Sequence, residues 1–116
     1  MNVNIMENKK TERILGIDPG FGRTGWGVIE KPKGEWQAVA WGCIETSAKD
    51  QFANRLCELH EELKLIIKKY KPTSVAVEDL FFAKNVKTAM KVGQARGAIL
   101  LTIKEFSLPL YEFTPL

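Results

Sequence analysis

The sequence predicts an α/β domain in which a three-stranded antiparallel meander is joined by parallel strands into one mixed sheet flanked by helices. Three observations carry this. Short apolar runs between Arg13 and Thr46 are separated only by turn signals, the pattern of strands joined by tight connections. A long stretch with apolar residues at steps of three and four follows, which is helical spacing. TSVAVED, Thr73 to Asp79, then returns to β-branched and small residues, and a strand, helix, strand unit crosses over to parallel pairing, here expected beside the first strand.

At 116 residues and 45% hydrophobic content the chain suits one core rather than two. Residues 13–116 are expected to form that domain, and the polar, aperiodic MNVNIMENKKTE of 1–12 reads as a flexible leader. The net charge of +3 permits a polyanionic partner without requiring one. Cys43 and Cys57 have neither metal-ligand spacing nor the density of a disulfide scaffold, so they are expected to be small buried apolar groups in a reducing cytoplasm. No uncharged apolar run approaches the roughly 20 residues that span a bilayer, and the N-terminus lacks the apolar centre of a signal peptide. A soluble, cytoplasmic protein without a membrane partner is the expectation.

The first strand, Ile14-Leu15-Gly16-Ile17, delivers Asp18 to its end, where a Gly/Pro turn reverses the chain. A carboxylate at the rim of a buried strand must pair or bind something. The second strand is expected from about Arg23 to Lys31, a turn over Lys31-Pro32-Lys33-Gly34, and the third strand from Glu35 to Thr46. Trp26, Trp36 and Trp41 fall in this meander and read as packing residues rather than base-stacking ones.

Ser47-Ala48-Lys49-Asp50 has the form of a helix start. Beyond it Phe52, Leu56, Leu59, Leu63, Ile66 and Ile67 make one apolar stripe, with Glu61, Glu62, Lys64, Lys68 and Lys69 on a solvated face. His60 lies beside the stripe with no companion ligand, which favours a boundary role over catalysis. Lys71-Pro72 ends the helix. If the next strand lies beside the first, Asp18 and Glu78 finish on neighbouring strand ends, where open α/β sheets place their ligands.

From Leu80 to Lys104 the chain carries Lys84, Lys87, Lys91, Arg96 and Lys104 and no acidic residue. Asn85 is the expected cap of a helix running to about Phe106. Ala89, Gly93 and Gly97 recur every four residues along it, a groove suited either to a second helix or to packing within the domain. A last strand is expected at Leu110-Tyr111-Glu112-Phe113, and the chain stops soon after it, which reads as short of a covering helix.

Two converging carboxylates suit Mg²⁺, or alternatively Mn²⁺, because hard cations favour carboxylate oxygen and keep waters that leave room for a phosphate. In two-metal phosphodiester hydrolysis the ions sit about 4 Å apart and three or four carboxylates hold them. From the residues alone, a structural salt bridge or turn cap for Asp18 stands level with catalysis.

GIDPG with TGWGVIE downstream, then AVEDLFFAKN and KVGQARG, resemble in order and interval the RuvC family of Holliday junction resolvases, over Arg13 to Leu116. The resemblance implies a ribonuclease H-like fold, a homodimer, and Mg²⁺-dependent paired nicks placed symmetrically on branched, four-way DNA in recombination and repair. A branch-migration motor is a further implied partner. By position, Asp18 and Glu78 match the family's first two catalytic, metal-binding carboxylates. Phe81 matches an aromatic that stacks on bases at the crossover, a contact worth about 1–3 kcal/mol per base, with core filling by Phe81 or Phe82 as the alternative. Lys84 and Asn85, with Lys87 beside them, match a segment near the DNA backbone. The helix with Ala89, Gly93 and Gly97 matches the one that builds the dimer interface. The family's remaining metal ligands come from a C-terminal helix that has no counterpart before Leu116, and Asp79 cannot replace them because adjacent strand residues point to opposite faces.

A non-catalytic DNA-binding or dimerisation module that keeps the basic segment and the GQARG helix is the alternative to a junction-resolving endonuclease. A kinase-like half-domain, with the glycine turn cradling a nucleotide phosphate, is a third reading that would need a second lobe.

Overall fold

The computed structural model describes residues 11–20, 22–79 and 85–114. In chain order the elements are β1 (Arg13–Asp18), β2 (Arg23–Glu30), β3 (Gln37–Glu45), α1 (Phe52–Tyr70), β4 (Ser74–Glu78), α2 (Val86–Glu105) and β5 (Leu110–Phe113). They form one five-stranded sheet in the order β3-β2-β1-β4-β5. β1 to β3 are antiparallel neighbours, whereas β4 runs parallel to β1 and β5 parallel to β4. The meander and the crossover to the first strand are therefore as the sequence predicts.

Strand alternation decides the layers. Leu15 and Ile17 of β1, Val28 of β2, Ile44 of β3 and Val75 and Val77 of β4 point to one face, where Leu59, Leu63 and Ile67 of α1 and Ala95, Ile99 and Ile103 of α2 complete the buried core. Both helices thus lie on the same side. The opposite face carries Gly16, Gly25, Gly27, Ala76 and the two acidic strand ends, with Ile29, Trp41, Tyr111 and Phe113 exposed.

α1 begins at Phe52 rather than at the Ser47 signal. Ser47 to Asp50 form a turn instead, closed by the Asp50 amide donating to the Ser47 carbonyl at 3.1 Å and the Lys49 amide donating to the Ser47 hydroxyl at 3.2 Å. The same side-chain oxygen that can cap a helix is satisfied within the turn. The helix stops at Tyr70, with Lys71 in the left-handed region (φ 48°) and its amide on Ile67 O at 2.9 Å. α2 starts where the sequence places it, with the Asn85 side-chain oxygen accepting from the Thr88 amide at 2.8 Å.

The expectation of buried cysteines is overturned: Cys43 and Cys57 are both exposed. Cys43 alternates with Ile44 on β3 and so points away from the core, and Cys57 lies off the buried stripe of α1. Of the three tryptophans, Trp26 packs on Tyr70 with ring centroids 5.7 Å apart. Trp36 precedes β3 under the Lys31 ammonium, and Trp41 is 75% exposed.

His60 sits at the seam of the two helices. The Thr102 hydroxyl donates to Ala98 O at 2.7 Å, so it accepts from Nδ1–H of His60, also at 2.7 Å. Glu105 lies 3.6 Å from Nε2. The boundary role expected for this histidine is what the packing gives it.

Candidate active site

Asp18 is the last residue of β1 and Glu78 the last of β4. The parallel ladder pairs Ile17 with Val77, so the next residue of each strand reaches the same sheet end on the same face. There they line an open cleft of about 420 Å³ with Gly16, Gly25, Gly27, Trp41 and Phe113. Its floor is nearly free of side chains, because Gly16 pairs with Gly27 and Asp18 with Gly25. Backbone can therefore be approached closely beside the two carboxylates.

Glu78 is half-buried and Asp18 exposed. The Glu78 carboxyl is raised above its ordinary range, first by partial burial and then by a hydrogen bond and like-charge repulsion from Asp18. Two acidic groups held this way are a site that a divalent cation relieves, and the all-oxygen donor set fits a hard ion. Among the described residues no group of three or more His, Cys, Asp or Glu side chains is gathered as a larger ligand set.

Asp79, the next residue, turns to the helix face and meets Arg96 of α2, its Oδ1 3.6 Å from the Arg96 Nε. It does not join the pair, as strand alternation requires.

The turn after Asp18 is tightly constrained. Gly22 has φ 82°, and a Cβ there would lie 2.5 Å from an Arg55 guanidinium nitrogen, while a Cβ on Gly20 would lie 2.2 Å from Arg23 O. Arg55 is buried in α1, donating from Nε to the Thr46 hydroxyl at 2.9 Å. The sequence reading missed Arg55 and the partners of Arg96. The signal for Arg55 was present: it falls three residues after Phe52 and four before Leu59, a charge inside an apolar stripe.

Of the residues matched to DNA contact, Asn85 caps α2 and Lys87 is exposed in its first turn. Phe81, Phe82 and Lys84 lie outside the described residues. Gly93 and Gly97 are exposed, and a Cβ on either would meet nothing within 4 Å. Among the described residues the small-residue groove therefore faces outward at Gly93 and Gly97, away from the sheet. Ala89 is half-buried beside it, and Val86, Met90 and Leu101 of the same helix are exposed.

A mixed sheet with its helices on one face and an acidic pair on adjacent strand ends of the other defines a ribonuclease H-like domain. The chain belongs to the RuvC family: the family profile described as crossover junction endodeoxyribonuclease RuvC matches residues 14–116. It is similar to the crossover junction endodeoxyribonuclease RuvC of Petrotoga mobilis, 49% identical over 102 residues that make up 88% of this chain and 63% of that protein. To the protein of the same description from Caldicellulosiruptor saccharolyticus it is 50% identical over 105 residues, 90% of this chain and 63% of the relative. The fold superposes on Thermus thermophilus RuvC in complex with Holliday junction substrate with a TM-score of 0.80 at 30% identity, over 90% of this chain and 65% of that one. The yeast mitochondrial Holliday junction resolvase Ydc2, 15% identical with a TM-score of 0.64, shares the fold. The chain thus spans a little under two thirds of the length of these curated relatives.

Proposed function

We propose that this chain is the core of a structure-selective endonuclease that resolves four-way DNA junctions by paired, Mg²⁺-dependent phosphodiester hydrolysis, with Mn²⁺ able to take its place. The observation that carries the reading is the convergence of Asp18 and Glu78 at the ends of β1 and β4 in a chain of this family. A solved relative of the same fold is described as bound to a Holliday junction, which supports branched DNA as the substrate.

Asp18 and Glu78 would hold the cation. When bound, such an ion activates water and stabilises charge on the phosphate oxygens. The residues of this chain do the rest. The exposed Asp18 carboxylate leads into the cleft, Glu78 is held beside it by the parallel ladder, and the glycine floor lets a phosphodiester backbone lie close to the sheet. Lys87, Asn85, Lys84 and Phe81 are proposed as the DNA-contacting set, the lysines through phosphate charge and Phe81 through stacking.

Two nicks placed symmetrically require two sites, and the outer face of α2 supplies a surface on which a second copy could pack. Val86, Met90, Gly93, Gly97 and Leu101 form a stripe on that helix without cover among the described residues. Glycine at the centre of such a stripe allows two helices to approach closely. A branch-migration motor is the additional partner the resemblance implies. A cytoplasmic setting goes with this role, and no helix among the described residues is long and apolar enough to cross a membrane.

The deciding experiment uses fluorescent four-way DNA, the chain as given, and the chain extended to the length of its relatives, each as wild type and as Asp18→Asn. Both lengths are expected to bind the junction with and without the substitution. Mg²⁺-dependent symmetric nicks are expected in the extended wild type and absent from its Asp18→Asn form. Binding without nicking in every form, at any Mg²⁺ concentration, would establish the DNA-binding module instead.

A further inference from the structure

A second group of charges gathers three elements on the helix side of the same sheet end: Asp79 at the exit of β4, Glu112 on β5 and Arg96 in α2. The Arg96 guanidinium sits between the two acids, its Nη2 hydrogen-bonded to Glu112 Oε2 and its Nε 3.6 Å from Asp79 Oδ1. Only 16% of the arginine side chain and 29% of the Asp79 side chain are exposed. The Asp79 amide also donates to Phe113 O at 2.6 Å, so Arg96 fastens from above a rung that the backbone already closes from the side.

Glu78 immediately precedes this fastened residue and points to the other face. Its carboxylate stands beside Asp18 in the cleft, one residue past the last rung of the parallel ladder. The backbone at Asp79 sets the direction of the Glu78 side chain, and what restrains that backbone is a cation shared by two acids and largely withdrawn from water. Among the described residues neither Asp79 Oδ1 nor Arg96 Nε has a hydrogen-bond partner. The contact between them is therefore a charge interaction across the seam, and removing the arginine would leave a half-buried carboxylate unpaired beside the site.

We infer that Arg96 is a positioning residue for the acidic pair: bound between Asp79 and Glu112, it locks the exit of β4 and keeps Glu78 beside Asp18. This rests on the reading of Asp18 and Glu78 as cation ligands. Residues that orient metal ligands from behind typically change metal affinity by about 10–100-fold when removed.

The test is calorimetric titration of Mn²⁺ into the metal-free chain, with the thermal midpoint of each variant measured in parallel. Arg96→Gln is expected to weaken Mn²⁺ binding by roughly 10–100-fold, and Arg96→Lys, which keeps the charge, to recover most of the affinity. Glu112→Gln, on a largely exposed strand, is expected to keep the fold and lose affinity several-fold, so it decides the matter if Arg96→Gln does not fold. Wild-type affinity in folded Arg96→Gln, or in Glu112→Gln, would overturn the inference, as would a lysine variant that restores the thermal midpoint but not the affinity. A wild type that binds no Mn²⁺, or an Asp18→Asn variant that binds it undiminished, would instead overturn the cation reading and this inference with it.

Discussion

Ile17 of β1 is paired with Val77 of β4 in the parallel ladder, and this one rung sets the geometry of the site. Because the two strands run the same way, the residue after each is an acid at the same sheet end, and because strand residues alternate, both acids leave the helix-covered face. Residues 18 and 78 become neighbours through the crossover that α1 makes over the sheet. The core beneath them is closed by Leu15, Val75, Ile99 and Ile103, each fully buried.

The rise of the Glu78 carboxyl, first by burial and then by Asp18, has a sign that melting curves can read. A carboxyl raised above its ordinary value contributes stability that is fully present below its unfolded pKa, about 4.3, and is lost as pH rises through the folded value. At neutral pH the ionised Glu78 therefore costs the fold stability in the absence of a cation. Glu78→Gln is expected to raise the thermal midpoint of the metal-free protein at pH 7 and to lose that advantage as the pH falls below about 4. A variant no more stable than wild type at pH 7 would show that neither burial nor Asp18 disfavours the ionised Glu78.

At Gly20 and Gly22 the turn that follows Asp18 has no room for a side chain. Gly20→Ala would place a methyl against Arg23 O, and Gly22→Ala would add a left-handed backbone to a collision with Arg55. Each is expected to cost about 1–3 kcal/mol, measured by urea denaturation. Both should also weaken cation binding, since the turn carries Asp18.

The glycines of α2 make the opposite case. With open space around Gly93 and Gly97, Gly97→Ala should stabilise the isolated chain by about 0.5–1 kcal/mol through helix propensity alone. If a second copy packs on this face, the same methyl should weaken the dimer. Sedimentation velocity alongside thermal melts separates the two effects, and a variant that dimerises as well as wild type would remove these glycines from the interface.

Lys87 stands exposed in the first turn of α2. If it neutralises a phosphate, Lys87→Ala should weaken junction binding about equally for all sequences and reduce the slope of log affinity against log salt by about 1. Fluorescence anisotropy across a salt series reads this directly, and an unchanged slope would place Lys87 away from the DNA.

Much of this was legible in the residues. Short apolar runs between turn signals defined β1 and β2, β-branched and small residues defined β4, the three-and-four spacing from Phe52 to Ile67 defined α1, and Asn85 marked the start of α2, because each of these signals is local in the chain. The convergence of Asp18 and Glu78 was legible as a consequence of one condition, that β4 lies beside β1, since a strand, helix, strand unit returns in parallel.

Other features needed the third dimension. Nothing local distinguishes Ser47 as a turn residue from Ser47 as a cap, and the exposure of Cys43 depends on which face of β3 meets the helices. The outward orientation of Gly93 and Gly97 was settled by the opposite side of α2, where Ala95, Ile99 and Ile103 claim the sheet. Arg55 under the glycine turn and Arg96 between Asp79 and Glu112 are likewise products of packing. A charge is costly to bury unless an opposite or accepting group reaches it, and only the tertiary fold brings such partners together from distant parts of the chain. Local pattern thus laid down the strands, the helices and the acids that end β1 and β4. The tertiary structure decided which face those acids share and which cations hold the backbone behind them.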